Sequence, residues 1–358
     1  MKILAIETSC DETAMAVVSA QGGLNHPRFS ILENIVSSQV KIHRPFGGIV
    51  PNLAKREHIK NLPIVFQKIG GDKLKQQIDL LSVTIGPGLE PALWTGINFA
   101  KNLSQKWKKP LIGVNHLEGH LYSFLLPPKT KTTKPDNAGQ NSKLSSAIKT
   151  KKLFPAVALI VSGGHTILLL MKDLVSFKKL GETRDDAGGE AFDKVARMLN
   201  LPYPGGPEIE KLAKLGSPQA IDFPRPMIYA QNYDFSFAGL KTSVWYYLRD
   251  KKITDGLKAD VAAGFQQAAI DVLTHKTIKA AKDFQAKTIL LSGGVAANKK
   301  LKISLARQAR ALKHNFFSPV FRLNTDNAAM IGAAAYINYL KKGEKTSGRI
   351  VAKPNLGL

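Results

Sequence analysis

The chain has 358 residues, 44% of them hydrophobic and 22% charged, enough to bury a substantial core and of a length that suggests about two domains. With 51 basic and 27 acidic residues the formal net charge is +24, which points to a polyanionic partner; solvated helix faces are the plainer reading of the same charge. Cys10 is the only cysteine, which excludes an intrachain disulfide, and no apolar run approaches the ~20 residues that span a bilayer, so a cytoplasmic protein without a membrane association is expected.

Lys2 to Ile6 reads as a short apolar strand, Thr8 to Thr13 as a polar turn and Ala14 to Ser19 as a second strand. The tip of such a hairpin offers hydroxyls, main-chain N–H groups and the carboxylates Asp11 and Glu12 to a phosphate, a metal or only water. Asn52 to Lys68 follows as a helical stretch carrying Arg56 and His58. Leu80 to Ile85 is then an apolar strand, Gly86-Pro87-Gly88 a turn and Ala92 to Lys106 a helix, a unit that aims backbone amides at an anion but lacks the spacing and lysine of a phosphate loop.

Leu111 to Val114 is another strand, and it delivers Asn115-His116-Leu117-Glu118-Gly119-His120. On a helix, residues four apart share a face, so His116 and His120 can reach one metal ion; two unrelated histidines are the alternative. A zinc-protease motif would place its acid directly after the first histidine, whereas Glu118 lies about 200° around the wheel from His116, so proteolysis is set aside.

Residues 127–152 hold seven lysines and one acid, with no aromatics, and read as a flexible basic insertion near a domain boundary. Further basic clusters recur at Lys106-Lys108-Lys109, Lys299-Lys300-Lys302, Arg307-Arg310-Lys313 and Lys341-Lys342-Lys345, so most of the positive excess lies outside the insertion.

Beyond it the plan repeats. Ala156 to Val161, Ser162-Gly163-Gly164-His165-Thr166 and Ile167 to Met171 echo the first hairpin, and Thr288 to Ala306, with its Gly293-Gly294 turn, echoes Leu80 to Leu103. Two copies of one plan imply an α/β protein of two similar mixed-sheet lobes. That order of hairpin, hairpin and glycine turn is how actin, sugar kinases and heat-shock ATPases hold a nucleotide. Asp193, on an expected helix from Glu190 to Leu199, could accept from ribose hydroxyls or stand as a solvated acid, and Gly205-Gly206 would let backbone approach a ligand. Asp326 is by default the cap of an Ala-rich helix, Ala328 to Leu340, and is also the best candidate for a third metal ligand.

The stretches Ile6 to Thr13, His116 to His120, Val161 to Thr166, Tyr203 to Pro207, Phe235 to Thr242, Gly293 to Asn298 and Thr325-Asp326-Asn327 together resemble the tRNA N6-adenosine threonylcarbamoyltransferase family over nearly the whole chain. The resemblance implies a two-lobed actin-like ATPase (ASKHA) fold, with residues 1–126 and about 324–345 as first lobe, 153–323 as second and 346–358 as a tail. It implies transfer of a threonylcarbamoyl group from threonylcarbamoyl-AMP to N6 of adenosine 37 in tRNAs reading ANN codons, with release of AMP. By position it makes His116, His120 and Asp326 the ligands of one divalent metal, iron(II) or else zinc. Ile160, Val161, Ser162, Gly163, Gly164, Asp193, Gly206, Glu210 and Asn298 become adenylate contacts, although Glu210 stands where many relatives have Asp. Asp11 or Glu12 would take the amine proton. Asn52, Glu90-Pro91 and Trp94 depart from the family's usual residues. Expected partners are tRNA, a shorter paralogue forming a heterodimer and a small ATPase. A small-molecule kinase and a non-catalytic scaffold paralogue of the same fold are the rival readings; neither gives a reason to keep His116, His120 and Asp326 together.

Overall fold

The computed structural model describes residues 1–127, 150–342 and 350–358. Among these the chain divides into two compact units, the first made of residues 1–127, 150–152, 319–342 and 350–358 and the second of residues 153–318.

The first unit begins with β1 (Lys2–Glu7), β2 (Glu12–Gln21) and β3 (Arg28–Ser38), continues through a short helix α1 (Val40–His43) and the long α2 (Pro51–Ile69), and then alternates β4 (Leu80–Gly86), α3 (Glu90–Trp107), β5 (Leu111–Asn115) and α4 (His116–Tyr122). The second repeats the scheme with β6 (Ala156–Val161), β7 (Thr166–Met171), β8 (Phe177–Glu182), α5 (Gly188–Met198), α6 (Gly205–Leu212), α7 (Ala238–Leu248), α8 (Asp255–Asp283), β9 (Thr288–Ser292), α9 (Lys299–Ala311) and β10 (Asn315–Phe317). Finally α10 (Ala328–Lys342) returns to the first unit.

The two sheets have one topology. Their strand orders are β3-β2-β1-β4-β5 and β10-β9-β6-β7-β8, so β1 corresponds to β6, and each pairs antiparallel with the next strand and parallel with a later one. Strands buried on both faces read as continuous apolar runs, and β1 is such a strand. Its Leu4 and Ile6 join the core with Leu62 and Phe66 of α2 and Leu93 and Ile97 of α3. Ala5 points to the other face, where Gly332 of α10 comes so close that an added Cβ would sit 2.8 Å from Val18 Cγ2 and 3.6 Å from Ala5 Cβ. No helix among the described residues is long and apolar enough to cross a membrane.

Three features differ from the sequence expectation. The edge strands β3, β8 and β10 and the 29-residue α8 were not anticipated. The return to the first unit begins at residue 319 rather than 324. The expected tail, in its described part, is a strap of the first unit: Ile350 and Ala352 pack on the core, and Lys353 N donates to Ile85 O at 2.7 Å. The basic insertion at 127–152 lies outside the described residues except for Pro127 and a single turn, Thr150–Lys152, whose Thr150 N donates to Asn25 O.

Glu90 and Trp94, two of the residues unusual for the resembled family, bond to each other: Trp94 Nε1 donates to Glu90 Oε1 at 3.4 Å across one turn of α3.

Candidate functional site

The histidine pair rests on a short, well-anchored helix. Asn115 Oδ1 accepts from Leu117 N at 2.8 Å and so caps α4, while Asn115 Nδ2 donates to Gly357 O in the C-terminal strap at 2.9 Å. The strap therefore holds the cap that starts the ligand helix. Deleting residues 355–358 is expected to lower stability by about 0.5–2 kcal/mol, the range of a lost N-cap. An unchanged denaturation midpoint would show that the strap does not steady α4.

His116 and His120 lie four residues apart with ring centroids separated by 4.7 Å; His116 is 7% exposed and His120 fully buried. Gly119 lets α10 approach, since a Cβ there would sit 2.9 Å from Ile331 Cδ1 and 3.1 Å from Met330 Cγ. That approach brings in Asp326. Asn327 caps α10, its Oδ1 accepting from Met330 N at 3.1 Å, so the acid is free of the capping duty that the sequence assigned to it by default. Asp326 Oδ1 lies 3.2 Å from His120 Nε2 and 3.5 Å from His116 Nε2. One ligand atom from each of the three residues falls within 4.8 Å of the others.

Glu7, at the end of β1, was not singled out from the sequence. It is completely buried and its carboxylate is fully engaged. Oε1 accepts from Ser9 N at 2.5 Å, Oε2 accepts from Thr84 Oγ1 at 2.6 Å, and His116 Nδ1 lies 3.1 Å from Oε2. Ser9 Oγ lies at the same 3.1 Å from Nδ1; a proton on Nδ1 directed at Glu7 leaves Nε2 to face Asp326, an arrangement in which a carboxylate fixes the orientation of an imidazole.

The charges of the three residues and Glu7 act strongly on one another. Burial alone would raise the Asp326 carboxyl, yet His116 and His120 hold it far below the ordinary carboxylate range. Burial alone would lower His116, but Asp326 and Glu7 push it well above its usual value. Among the described residues the buried His120 Nδ1 has no hydrogen-bond partner, and Nε2 has only the 3.2 Å contact to Asp326 Oδ1, a pair of contacts that a coordinated ion would complete. Two imidazoles and one carboxylate form a donor set suited to iron(II) or zinc, and the residues fit such an ion. Glu118 takes no part: its Oε2 accepts from Asn338 Nδ2 on α10 at 2.6 Å, in keeping with the rejection of a protease.

The hairpin tip lies close enough to feel Asp326. Burial, then the charge of Asp11 and of Asp326, pushes the Glu12 carboxyl well up, and burial with Asp326 also raises Asp11. Asp11 is 6% exposed and its Oδ2 has no hydrogen-bond partner, whereas Glu12 Oε1 accepts from Ser38 Oγ at 3.3 Å. Burial and the surrounding carboxylates push the Cys10 thiol well above its usual range, which disfavours the thiolate form. Behind the tip His58 acts as a brace: Nε2 lies 3.0 Å from Cys10 O and Nδ1 2.8 Å from Thr13 Oγ1, with burial holding the ring low and hence neutral. His58→Ala is expected to cost about 1–3 kcal/mol through unpaired buried groups, read by chemical denaturation; a loss under 0.5 kcal/mol would remove the brace from the account.

In the second unit the residues expected to meet an adenylate fall into two groups. Around the β6–β7 turn, Ser162 O accepts from Gly189 N at 3.1 Å, and Gly293, with φ of +91°, lies against the Val161 backbone where a Cβ would be 2.3 Å from Val161 O. Gly163 and Gly164 have nothing within 4 Å of a built Cβ, so their faces are open. Ile160 and Val161 are fully buried, which restricts any ligand contact from them to the main chain. In the other group, Asp193 Oδ1 accepts from Gly205 N at 2.7 Å, and Gly206 is open in the same sense as Gly163. Glu210 Oε1 accepts from Lys299 N, while Asn298 caps α9 through Leu301 N and donates to Gln266 Oε1. These two side chains thus carry structural bonds at the start of α9.

Comparison with known proteins follows the same lines. The family model described as "TsaD: tRNA N6-adenosine threonylcarbamoyltransferase" matches residues 30–138 and 142–333. A protein of Thermosipho africanus named tRNA N6-adenosine threonylcarbamoyltransferase is 46% identical over 99% of both chains, and one of Moorella thermoacetica with the same name is 46% identical over 95% of this chain and 92% of its own. Among solved structures, full-length HypF in the phosphate- and nucleotide-bound form covers 97% of this chain at a TM-score of 0.56 and 12% identity, and T. kodakarensis HypF covers 97% at 0.56 and 14%. The chain spans about half the length of those HypF proteins, 47% and 49%, and shares their fold in that part.

Proposed function

The chain belongs to the TsaD family of tRNA N6-adenosine threonylcarbamoyltransferases, and from that premise we propose how its residues carry out the reaction. The expected family, the α/β actin-like fold and the transferase function are borne out. The enzyme transfers the threonylcarbamoyl group of threonylcarbamoyl-AMP to N6 of adenosine 37 in tRNAs reading ANN codons, releasing AMP. The convergence of His116, His120 and Asp326 is the observation that carries the chemical reading.

His116, His120 and Asp326 hold one divalent cation, iron(II) in first place and zinc as the alternative. Bound there, the ion supplies a Lewis acid toward oxyanion charge developing on the carbamoyl carbonyl. Glu7 holds the His116 ring with Nε2 facing Asp326, the orientation in which that nitrogen would be offered to a bound ion. Attack by an exocyclic amine releases a proton, and Asp11 or Glu12 at the hairpin tip is its acceptor; Asp11 Oδ2 is buried and has no hydrogen-bond partner among the described residues. Asp11→Asn is expected to cut the single-turnover rate about 10²–10⁴-fold with metal content unchanged. A near-normal rate in both Asp11→Asn and Glu12→Gln would exclude either as the base.

In the second unit, the open Gly163, Gly164 and Gly206 let main-chain amides approach the adenylate, with Ile160, Val161 and Ser162 presenting backbone and Asp193 within the same wall. Glu210 and Asn298 act there by fixing the start of α9. The anticodon loop offers its base unpaired, so no duplex needs melting. The protein works in the cytoplasm, as a heterodimer with a shorter paralogue and with a small ATPase.

The discriminating assay supplies tRNA and threonylcarbamoyl-AMP to the purified chain with its partners. AMP appearing in step with modified adenosine supports the reading; release of ADP from ATP onto a small molecule, with tRNA unchanged, would favour a kinase instead.

A further inference from the structure

We infer that the outward face of α9 is a contact for the phosphate backbone of the tRNA, an inference that rests on the transferase reading above. From Phe284 to Ser318 the second unit contains no Asp or Glu. Helix α9 buries Leu301, Leu305 and Ala309 at four-residue spacing. At ~100° per residue that places Lys299, Arg307 and Arg310 on the opposite side, and all three are exposed. None of the three takes part in an ion pair among the described residues. Lys313, just past the helix end, is exposed and makes no ion pair among the described residues.

The acids that reach α9 are engaged by other groups, and the one whose charge reaches its side chains, Asp271, acts on Lys300 rather than on Lys299, Arg307 or Arg310. Glu210 Oε1 accepts from the Lys299 main chain, and Asp271 on α8 is held by Arg225 and Gln267. The positive face is therefore uncompensated, in contrast to α5, whose Lys194 pairs with both Asp186 and Glu190. From Lys299 to Arg310 the face is about 16 Å long at 1.5 Å per residue, which matches several successive phosphates at about 3.4 Å of rise per nucleotide. A solvated helix needs no such segregation of charge, and an acidic macromolecule with regularly spaced charges is the complement; tRNA is the one the enzyme acts on.

The test compares tRNA binding by the full-length protein over a sodium chloride series. One variant carries Lys299→Gln, Arg307→Gln and Arg310→Gln; a control carries Lys68→Gln, Lys73→Gln and Lys75→Gln, three exposed lysines of the first unit. Thermal denaturation verifies that both variants fold. The α9 variant is expected to bind tRNA at least ~10-fold more weakly and to lower the slope of log affinity against log salt by about two, while the control stays near wild type. Wild-type affinity and slope in the α9 variant, or an equal loss in the control, would overturn the inference while leaving the transferase reading intact, provided the wild-type protein modifies tRNA in parallel. A wild-type protein that neither binds nor modifies tRNA would sink that reading and this inference together. Unchanged tRNA binding with loss of an acidic protein partner would reassign the face to that partner.

Discussion

Asp326→Ala is expected to reduce bound metal below about a tenth of an equivalent and to lower the single-turnover transfer rate ~10²–10³-fold. The reason lies in the charge balance. Asp326 is the anionic member of a set otherwise made of two imidazoles, and without it the ion loses its strongest electrostatic partner. The fold should survive, because Asn327 rather than Asp326 caps α10. Metal analysis of the purified variant, with its melting temperature measured beside the wild type, separates the two effects. Unchanged metal content in a folded variant would show that Asp326 is not a ligand.

Glu7 carries the second large effect. Burial works against its charge, and the His116 imidazole with its hydrogen bonds outweighs burial and holds the carboxyl below its ordinary value. Glu7→Ala removes the acceptor for Ser9 N and Thr84 Oγ1 and the partner of His116 Nδ1, and is expected to cost about 3–5 kcal/mol, the range for breaking a buried ion pair. Glu7→Gln fills the same space, so its expected effect falls on metal affinity, about 10–100-fold weaker, as for other outer carboxylates behind a ligating histidine. Zinc titration against a competing chelator reads this directly. Affinity within twofold of wild type would mean that Glu7 does not orient His116.

The sequence revealed the histidine pair because helical spacing alone puts residues 116 and 120 on one face. It left Asp326 between two roles, since an acid before an Ala-rich helix is a natural cap; the position of Asn327 removes the capping role. Glu7 stayed hidden because it ends a strand of apolar residues and its partners, Thr84 and His116, lie 77 and 109 positions away. The duplicated plan was legible in β1, β2, β6 and β7, whose apolar runs are buried on both faces. The edge strand β3 mixes Glu33 and Asn34 with Ile31 and Ile35, and the register shift between Val17 and Val18 of its partner strand breaks a simple alternation. Helix α8 buries residues around much of its circumference, many of them alanine, so no single apolar stripe marks it. Asn298 and Glu210 illustrate a different limit: no spacing in the sequence shows that both side chains bond at the start of α9.

The central claim is that the His116, His120 and Asp326 site promotes threonylcarbamoyl transfer to tRNA. The most direct measurement is single-turnover formation of threonylcarbamoyladenosine in an unmodified tRNA, by mass analysis of nucleosides, with metal-loaded wild type and Asp326→Ala given the same threonylcarbamoyl-AMP and partner proteins. The predicted result is modification at one anticodon-loop adenosine by the wild type, with AMP released in equal amount, and a rate at least ~10²-fold lower in the variant. Equal rates in the two proteins, or no modified nucleoside from the wild type under conditions where a related transferase is active, would contradict it.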